Sequence, residues 1–384
     1  MSIHPHALEC FLPPHILKQI VDQGTPDQRD WAIRAMRISD QIRTQRLALI
    51  ATLVAPEQLI AAGGAKQRFV YDAQQGTSLP GVEVRKEGDP AVSDPAVNEA
   101  YDGAGATYDL YWDVYQRNSI DDRGMAINSS VHYQKNYDNA FWNGSQMVYG
   151  DGDTGLPASQ QIFNRFTIAI DIIGHELTHG VTQFTANLAY ENESGALNES
   201  ISDVFGSLVK QRHLNQSATE ADWIIGQGIF TPNIKGEGIR SMKAPGTAYD
   251  DPVLGKDPQP ANMKDYQQLP TTDDSGGVHI NSGIPNFAFY SVAIAIGGNA
   301  WEKAGQIWYK TLKEQLKPSS TFQDAANLTL TVAGELYGKN SLEQQAVKTG
   351  WAAAGLSAVE IQLYPTNDTV GCPQSLLNLL GFNK

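Results

Sequence analysis

His175-Glu176-Leu177-Thr178-His179 sets two imidazoles one helical turn apart with a carboxylate between them. Residues four apart stack on one face of a helix, so both rings can reach a single ion. Glu176 is too close to His175 to share that ion comfortably and is placed to take a proton from a metal-bound water. The flanking Ile170-Asp171-Ile172-Ile173 and Val181-Thr182 are apolar enough to bury such a helix. A catalytic zinc wants three protein ligands and one open position. Glu199 is the expected third, because Asp203 lies one turn beyond it and can accept a hydrogen bond from the free ring nitrogen of His175. Asn198 can do the same for His179. An amphipathic helix with satisfied polar residues would explain the histidine pair alone, but not the second cluster beside it.

Working outward, the chain has 384 residues and a net charge of −14, which argues for solubility and against nucleic acid or anionic membranes as partners. No stretch is long and apolar enough to span a bilayer. Met1 to Gln19 lacks a basic region followed by an apolar one, so no classical secretory signal is read; the expected fate is leaderless secretion or the cytoplasm, with secretion preferred. Cys10 and Cys372, near opposite ends, are not a disulfide framework. Residues 1–55 read as a separate unit with a helix from Asp27 to Leu49. Residues 56–190 read as a β-rich lobe that includes the histidine helix. Its strands are expected at Arg68–Asp72, Val82–Arg85, Ser129–Tyr133 and Gln146–Tyr149, the last two at a sheet edge with an Asn143-Gly144 turn between them. Residues 191–356 read as helical, and 357–384 as a tail of unknown role. Strands first and helices later predict an α+β fold of two lobes, with the histidine helix between them; a monomer is expected.

Four segments together resemble the thermolysin-like metalloproteases: Asp171 to Val181, Tyr190 to Asp203, Gly276-Gly277-Val278-His279-Ile280-Asn281-Ser282-Gly283-Ile284, and Asn139-Ala140-Phe141-Trp142-Asn143-Gly144. The resemblance runs from about Ala100 to Gly355 and implies a two-lobed zincin fold and a zinc-dependent endopeptidase acting on peptides or proteins. It implies that Glu176 is the base, that His279 and Tyr190 stabilise the oxyanion, and that Asp274 keeps His279 protonated. Arg240 matches the position that binds the substrate carbonyl just past the cut, and Asn139 and Ala140 the positions that bind substrate backbone as an added strand. Phe163, Ile172, Ile225, Ile229 and Ile239 match the wall of the pocket for the residue after the scissile bond; all are apolar, so a bulky hydrophobic residue is expected there.

The departures from the family carry expectations of their own. Asp171 and Asp222 match two of its calcium-binding acids, but Lys210, Ile224 and Gln227 stand where glutamates are expected. Calcium needs six to eight oxygens, so the double calcium site should be lost, with Lys210 forming a salt bridge there. Glu237 near Thr231 leaves one weaker site open. The short N-terminal unit resembles the compact propeptide of the protealysin-like branch, and Cys10-Phe11-Leu12-Pro13-Pro14 is its candidate inhibitory segment. Two mechanisms are open: the Cys10 thiolate ligates zinc, or the Pro-rich segment with Pro13 and Pro14 lies in the substrate cleft with Cys10 as a small buried apolar group, the reading preferred here. Removal is expected between Ile50 and Gly64. Two rival functions stand beside this one. A dead binding module is disfavoured by the presence of Glu176, His279 and all three ligands; an aminopeptidase is disfavoured because no motif offers a carboxylate for a free amine.

Overall fold

A computed structural model describes residues 9–50, 64–135 and 137–363, without the side chains of Glu9 and of residues 40–50. The expected processing stretch therefore lies mostly outside the described residues, as does the tail from residue 364. The N-terminal unit is a two-residue strand, β1 (Glu9–Cys10), followed by a helical hairpin, α1 (Pro14–Gln23) and α2 (Pro26–Ile50). Pro14 and Pro26 each open a helix, where a missing N–H costs nothing. The hairpin buries Ile16, Leu17, Ile20, Trp31, Ala32 and Ala35.

The next elements are β2 (Arg68–Asp72), β3 (Val82–Lys86), α3 (Pro95–Tyr115), β4 (Ile127–Val131), β5 (Ala140–Trp142) and β6 (Met147–Tyr149). With β1 they form a six-stranded sheet in the order β1-β5-β6-β4-β2-β3. β4 lies inside the sheet, parallel to both β2 and β6, rather than at the expected edge. Its burial hid this: Ser129 and Ser130 look like edge residues, yet both are covered. The Asn143-Gly144 turn joins β5 to β6 instead. Asn143 Oδ1 accepts from the N–H groups of Ser145 and Gln146, and Gly144 takes φ 100°, which strains any other residue.

Helix α4 (Ile170–Gln183) carries the histidine pair, and every residue from Asp171 to Thr182 is buried. Helix α5 (Asn192–Leu214) crosses it, and two glycines allow their backbones to meet. A Cβ on Gly174 would lie 3.0 Å from the Cα of Gly206, and one on Gly206 would lie 2.5 Å from the Asp171 carbonyl oxygen. Short two-residue strands β7 (Ile224–Ile225), β8 (Arg240–Ser241), β9 (Asp250–Asp251) and β10 (Gly255–Lys256) follow, with β7 pairing β8 and β9 pairing β10. The helical lobe closes with α6 (Asp274–Asn281), α7 (Gly283–Ile296), α8 (Lys303–Lys310), α9 (Phe322–Tyr337) and α10 (Leu342–Ala353). The two-lobed α+β architecture is the one expected. A full capping box occurs at Thr321 and Asp324. At Ser341 only half of one forms, since Gln344 turns its carbonyl to the Asn340 N–H.

His132 ties the start of α3 to the loop after β6. Its Nδ1 lies 2.8 Å from Asp151 and its Nε2 2.7 Å from Asp94, the cap of α3. The hydrogen bond to Asp151, with that to Asp94, outweighs partial burial and holds the imidazolium up to about 9. A group whose pKa is raised by folding contributes fully below its unfolded value, near 6.5, and its contribution is lost as pH rises through the folded one. After discounting for its partial exposure, the clamp is worth about 1–2 kcal/mol. Calorimetry should show melting temperature falling between pH 7 and 9.5 by a few degrees more in the parent than in His132→Gln.

Candidate active site

The close crossing of α4 and α5 brings three side chains to one point. His175 Nε2 and His179 Nε2 are 3.0 Å apart, and the two Glu199 oxygens lie 3.5 and 3.4 Å from them. All three residues are fully buried. Asp203 Oδ1 accepts from His175 Nδ1 at 2.8 Å, and Asn198 Oδ1 from His179 Nδ1 at 2.9 Å, with Ser202 Oγ 3.0 Å from the same nitrogen. A carboxylate can only accept, so the His175 proton sits on Nδ1 and the Nε2 lone pair faces inward. Two lone pairs and a carboxylate converging in a buried space repel one another unless a cation lies between them. Glu199 Oε2, buried and without a hydrogen-bond partner among the described residues, points to the same requirement. Nitrogen and oxygen donors in this number suit zinc, with room for a fourth ligand. Among the described residues this is the one set of at least three such side chains whose ligand atoms converge.

Around the cluster stand the other expected residues. Glu176 is fully buried, and its Oε2 accepts from the Trp142 N–H at 2.9 Å. Tyr190 donates its hydroxyl to Glu199, and His279 Nε2 is 3.3 Å from the same hydroxyl. Asp274 accepts from both the ring and the backbone N–H of His279, at 2.5 and 3.0 Å. Burial would lower the His279 pKa, but the Glu199 and Asp274 carboxylates overcome it and raise the value to about 9. The tight path into His279 runs through Asp274, Ser275, Gly276 and Gly277, all at positive φ. Arg240 is likewise buried and donates from Nε and Nη2 to Asp203 at 2.8 and 2.7 Å.

Sequence reasoning missed several supports. Asn286 Nδ2 donates to Asp203 at 2.8 Å, and Gln259 Nε2 to the His279 carbonyl at 2.7 Å. Neither residue stands in a local motif; only its place in the fold brings it to the site.

The N-terminal segment runs through this site as an added strand. β1 pairs antiparallel with β5, Cys10 opposite Phe141. The Phe11 N–H donates to the Ala140 carbonyl at 3.1 Å, and the Leu12 N–H to Asn139 Oδ1 at 2.8 Å. His279 Nε2 lies 2.9 Å from the Cys10 carbonyl oxygen, and Arg240 Nη1 donates to the Phe11 carbonyl at 3.4 Å. The Phe11 ring meets His175 edge-on, lies under the Arg240 guanidinium and reaches Gly226. Ile172, Ile225, Ile229, Ile239 and Phe163 are all buried in the same apolar cluster as Phe11.

In the N-terminal segment the place of Cys10 agrees with the preferred reading of a small buried apolar group, and the place of the prolines differs from expectation. Successive side chains of a strand point to opposite faces, so with Phe11 turned toward His175 the Cys10 thiol turns away. It packs with Ile38, Ala73, Tyr133, Tyr137, Phe141 and Val148, and is not among the converging ligand atoms. Pro13 and Pro14 do not fill the pocket either. They turn the chain into α1, Pro13 as its cap and Pro14 as its first residue. Phe11 is the residue that enters.

At the other end of α4, the Lys210 ammonium reaches Asp171 at 3.2 Å, Asp222 at 2.9 Å and the Ile224 carbonyl at 2.9 Å. Burial would neutralise this ammonium, but Asp171 and Asp222 keep its pKa above the usual value. Glu237 is exposed.

The comparisons with known proteins agree with this geometry. Residues 64–183 match the thermolysin metallopeptidase catalytic domain, and residues 186–356 its alpha-helical domain. The chain belongs to the thermolysin metallopeptidase family. It is a metalloendopeptidase, in a family that is zinc-dependent. An extracellular metalloprotease of Pectobacterium carotovorum subsp. carotovorum is 47% identical over 352 residues, 90% of this chain and 95% of that protein. Thermolysin from Alicyclobacillus acidocaldarius is 42% identical over 299 residues, 75% of this chain but 50% of that protein. Among solved structures, the precursor of protealysin, a metalloproteinase from Serratia proteamaculans, is 49% identical with a TM-score of 0.80, covering 90% of this chain and 99% of that one. The thermolysin-like fold of the protealysin branch is thereby established.

Removing Lys210 strands the Asp171 carboxylate in the interior. Breaking a buried pair in this way costs about 3–5 kcal/mol. Lys210→Ala should therefore lower urea-unfolding stability by about that much, whereas the exposed Lys313→Ala should change it by less than about 1 kcal/mol.

Proposed function

We propose that this metalloendopeptidase is made as a self-inhibited precursor and cuts peptide bonds on the amino side of bulky hydrophobic residues. The observation that carries this reading is the mode in which β1 lies in the cleft. Four polar contacts hold the Cys10 carbonyl, the Phe11 N–H and carbonyl, and the Leu12 N–H in the register a peptide substrate would need, with an aromatic side chain in the apolar pocket. A segment bound this way excludes other peptides by occupying their backbone partners. The pocket of Ile172, Ile225, Ile229 and Ile239, with Phe163 nearby, rewards a large apolar side chain by roughly 1.5–3 kcal/mol.

In the reaction, His175, His179 and Glu199 would hold zinc, which polarises the scissile carbonyl and the attacking water. Glu176, anchored by the Trp142 N–H, takes the proton of that water and passes it to the leaving amine. His279 and Tyr190 donate to the oxygen that becomes negative as water adds to the carbonyl carbon. Asp274 keeps His279 charged for that task. Asn139, Ala140 and Arg240 align the substrate backbone, and Asp203 and Asn198 orient the two ligand imidazoles. Residues 1–55 are the inhibitory unit, 56–190 and 191–356 the two catalytic lobes. Substrates are peptides or proteins. The name of the Pectobacterium relative, an extracellular metalloprotease, supports secretion as the destination. The ammonium of Lys210 replaces the charge of a calcium pair beside Asp171 and Asp222.

Glu176→Gln should lose 10²- to 10⁴-fold in peptide hydrolysis while metal analysis still finds one zinc per chain. Phe11→Gly should raise hydrolysis by the uncut precursor at least tenfold, and Cys10→Ala should leave its latency unchanged. An uncut Phe11→Gly chain as latent as the parent would sink the inhibition reading. Protein stripped of loosely held ions should carry no calcium at the Lys210 site, and two tightly bound ions would overturn that assignment.

A further inference from the structure

The N-terminal hairpin covers two carboxyl groups that the reaction does not use. Asp138 and Asp153, from the loops before β5 and after β6, are 2% and 1% exposed. Leu17, Ile20, Gln28, Trp31 and Ala32 of the hairpin close over them, leaving a void of about 10 Å³, the least that could admit one water. Asp153 is served by the backbone N–H groups of Ile162 and Phe163, at 2.6 and 3.1 Å. Asp138 is not served in this way: its Oδ1 is buried with no hydrogen bond of ordinary geometry among the described residues. The groups that face it are Asp153, which opposes its charge, and Trp31 and Arg34, which favour it; the Arg34 side chain is exposed at the rim. The other side chains lining the void, Leu17, Ile20, Gln28, Ala32, Leu156, Ile162 and Phe163, carry no charge.

We propose that docking of the N-terminal unit takes up a proton on the Asp138–Asp153 pair, so that rising pH loosens the inhibitory unit. The inference rests on the self-inhibition reading above and gives that reading a control. With the hairpin lifted, both carboxyls meet water and ionise. With it seated, a buried carboxylate beside a second acid and without a full complement of donors is costly, and a neutral carboxyl is favoured. Burial, reinforced by Asp153, pushes Asp138 well above the carboxylate range, and burial lifts Asp153 to about 6.

The sign follows from linkage. A carboxyl whose pKa is raised by docking costs nothing below its free value, near 4, and weakens docking tenfold per pH unit above it until the docked group ionises. One interface group acts in the opposite direction. His15 lies 3.0 Å from the Tyr249 hydroxyl, and burial lowers its pKa to about 4, with Asp274 opposing and His279, Arg240 and Lys18 adding to the fall. Its ionisation weakens docking below about pH 6.5. Over the pH unit above that value, undocked His15 finishes losing its charge, which favours docking, and Asp153 is mostly ionised in both states, so among the described residues a loss of docking reports the Asp138 proton.

The test uses the full chain carrying Glu176→Gln, which prevents self-digestion. Hydrogen exchange of the α1 and α2 amides, corrected for intrinsic rates, should lose protection between pH 6.5 and 7.5, by up to about tenfold relative to the same chain with Asp138→Asn. The same chain with Asp138→Asn should keep its protection or gain slightly over that range, as undocked His15 loses its charge. Equal slopes in the two chains would overturn the proposal. Should Asp138→Asn fail to fold, infrared spectra of the Glu176→Gln chain decide: a protonated carboxyl band persisting at pH 7 supports the latch, and its absence removes it. A hairpin protected equally at every pH sinks the latch but leaves self-inhibition standing, whereas a hairpin exposed at every pH sinks both.

Discussion

One buried carboxylate holds the site in register. Asp203 receives His175 Nδ1, Arg240 Nε and Nη2, and Asn286 Nδ2, donors from α4, β8 and α7 converging on α5. Withdrawing such a group from water costs several kcal/mol, and the cost is recovered only when its lone pairs are filled with good geometry. They are filled here, and the Arg240 guanidinium with His175 holds Asp203 well below the usual carboxylate range despite complete burial. The same carboxylate therefore fixes the tautomer of a metal-facing imidazole and the position of the arginine that meets a peptide carbonyl. Disturbing either partner is felt by the other, because they share its two oxygens. The approach that makes this possible is steric: with side chains at Gly174 or Gly206 the helices could not meet closely enough for Glu199 to reach the histidine pair.

The N-terminal segment illustrates how little regular structure is needed when the edge of a sheet is already in place. Two residues of strand have no stability alone. β5 supplies a fixed row of backbone partners, and the helical hairpin behind β1 supplies apolar contact, so the short strand is ordered by surroundings on both sides. Alternation along that strand then decides the chemistry. Phe11 faces the metal-binding imidazoles and Cys10 faces a tyrosine cluster, so occupation of the cleft by backbone and ring is the mode the geometry favours over thiolate ligation.

Much of this was legible in the chain because local spacing encodes it. His175 and His179, like Glu199 and Asp203, are related by helical periodicity, which survives folding unchanged, whereas Lys210 beside Asp171 and Asp222 was read from the family resemblance, as an ammonium standing where calcium-binding acids are expected. What escaped notice was what only the fold assembles. Asn286 and Gln259 reach the site from loops and helices with no signature of their own. The interior place of β4 was hidden because its serines are covered by neighbours far along the chain. Phe11 was overshadowed by the cysteine and prolines around it, although an aromatic residue before Leu-Pro-Pro was the better signal for an apolar pocket.

The two sets of buried acids show how the same electrostatic problem receives two different solutions. Near the start of α4, Asp171 is neutralised by Lys210, an ammonium carried on α5 within the catalytic lobes, so its compensation is permanent and independent of the N-terminal unit. Beneath the hairpin, Asp138 has the Trp31 indole and an exposed arginine to favour its charge and a second acid to oppose it, so in the proposed latch its compensation comes from solvent as a proton. A cation built into the fold stabilises it under all conditions in which lysine is charged. A proton is available only in proportion to acidity, and its demand disappears when the covering helices leave. Neutralisation from within the catalytic body therefore supports the enzyme, whereas neutralisation from solvent can distinguish the covered state from the uncovered one.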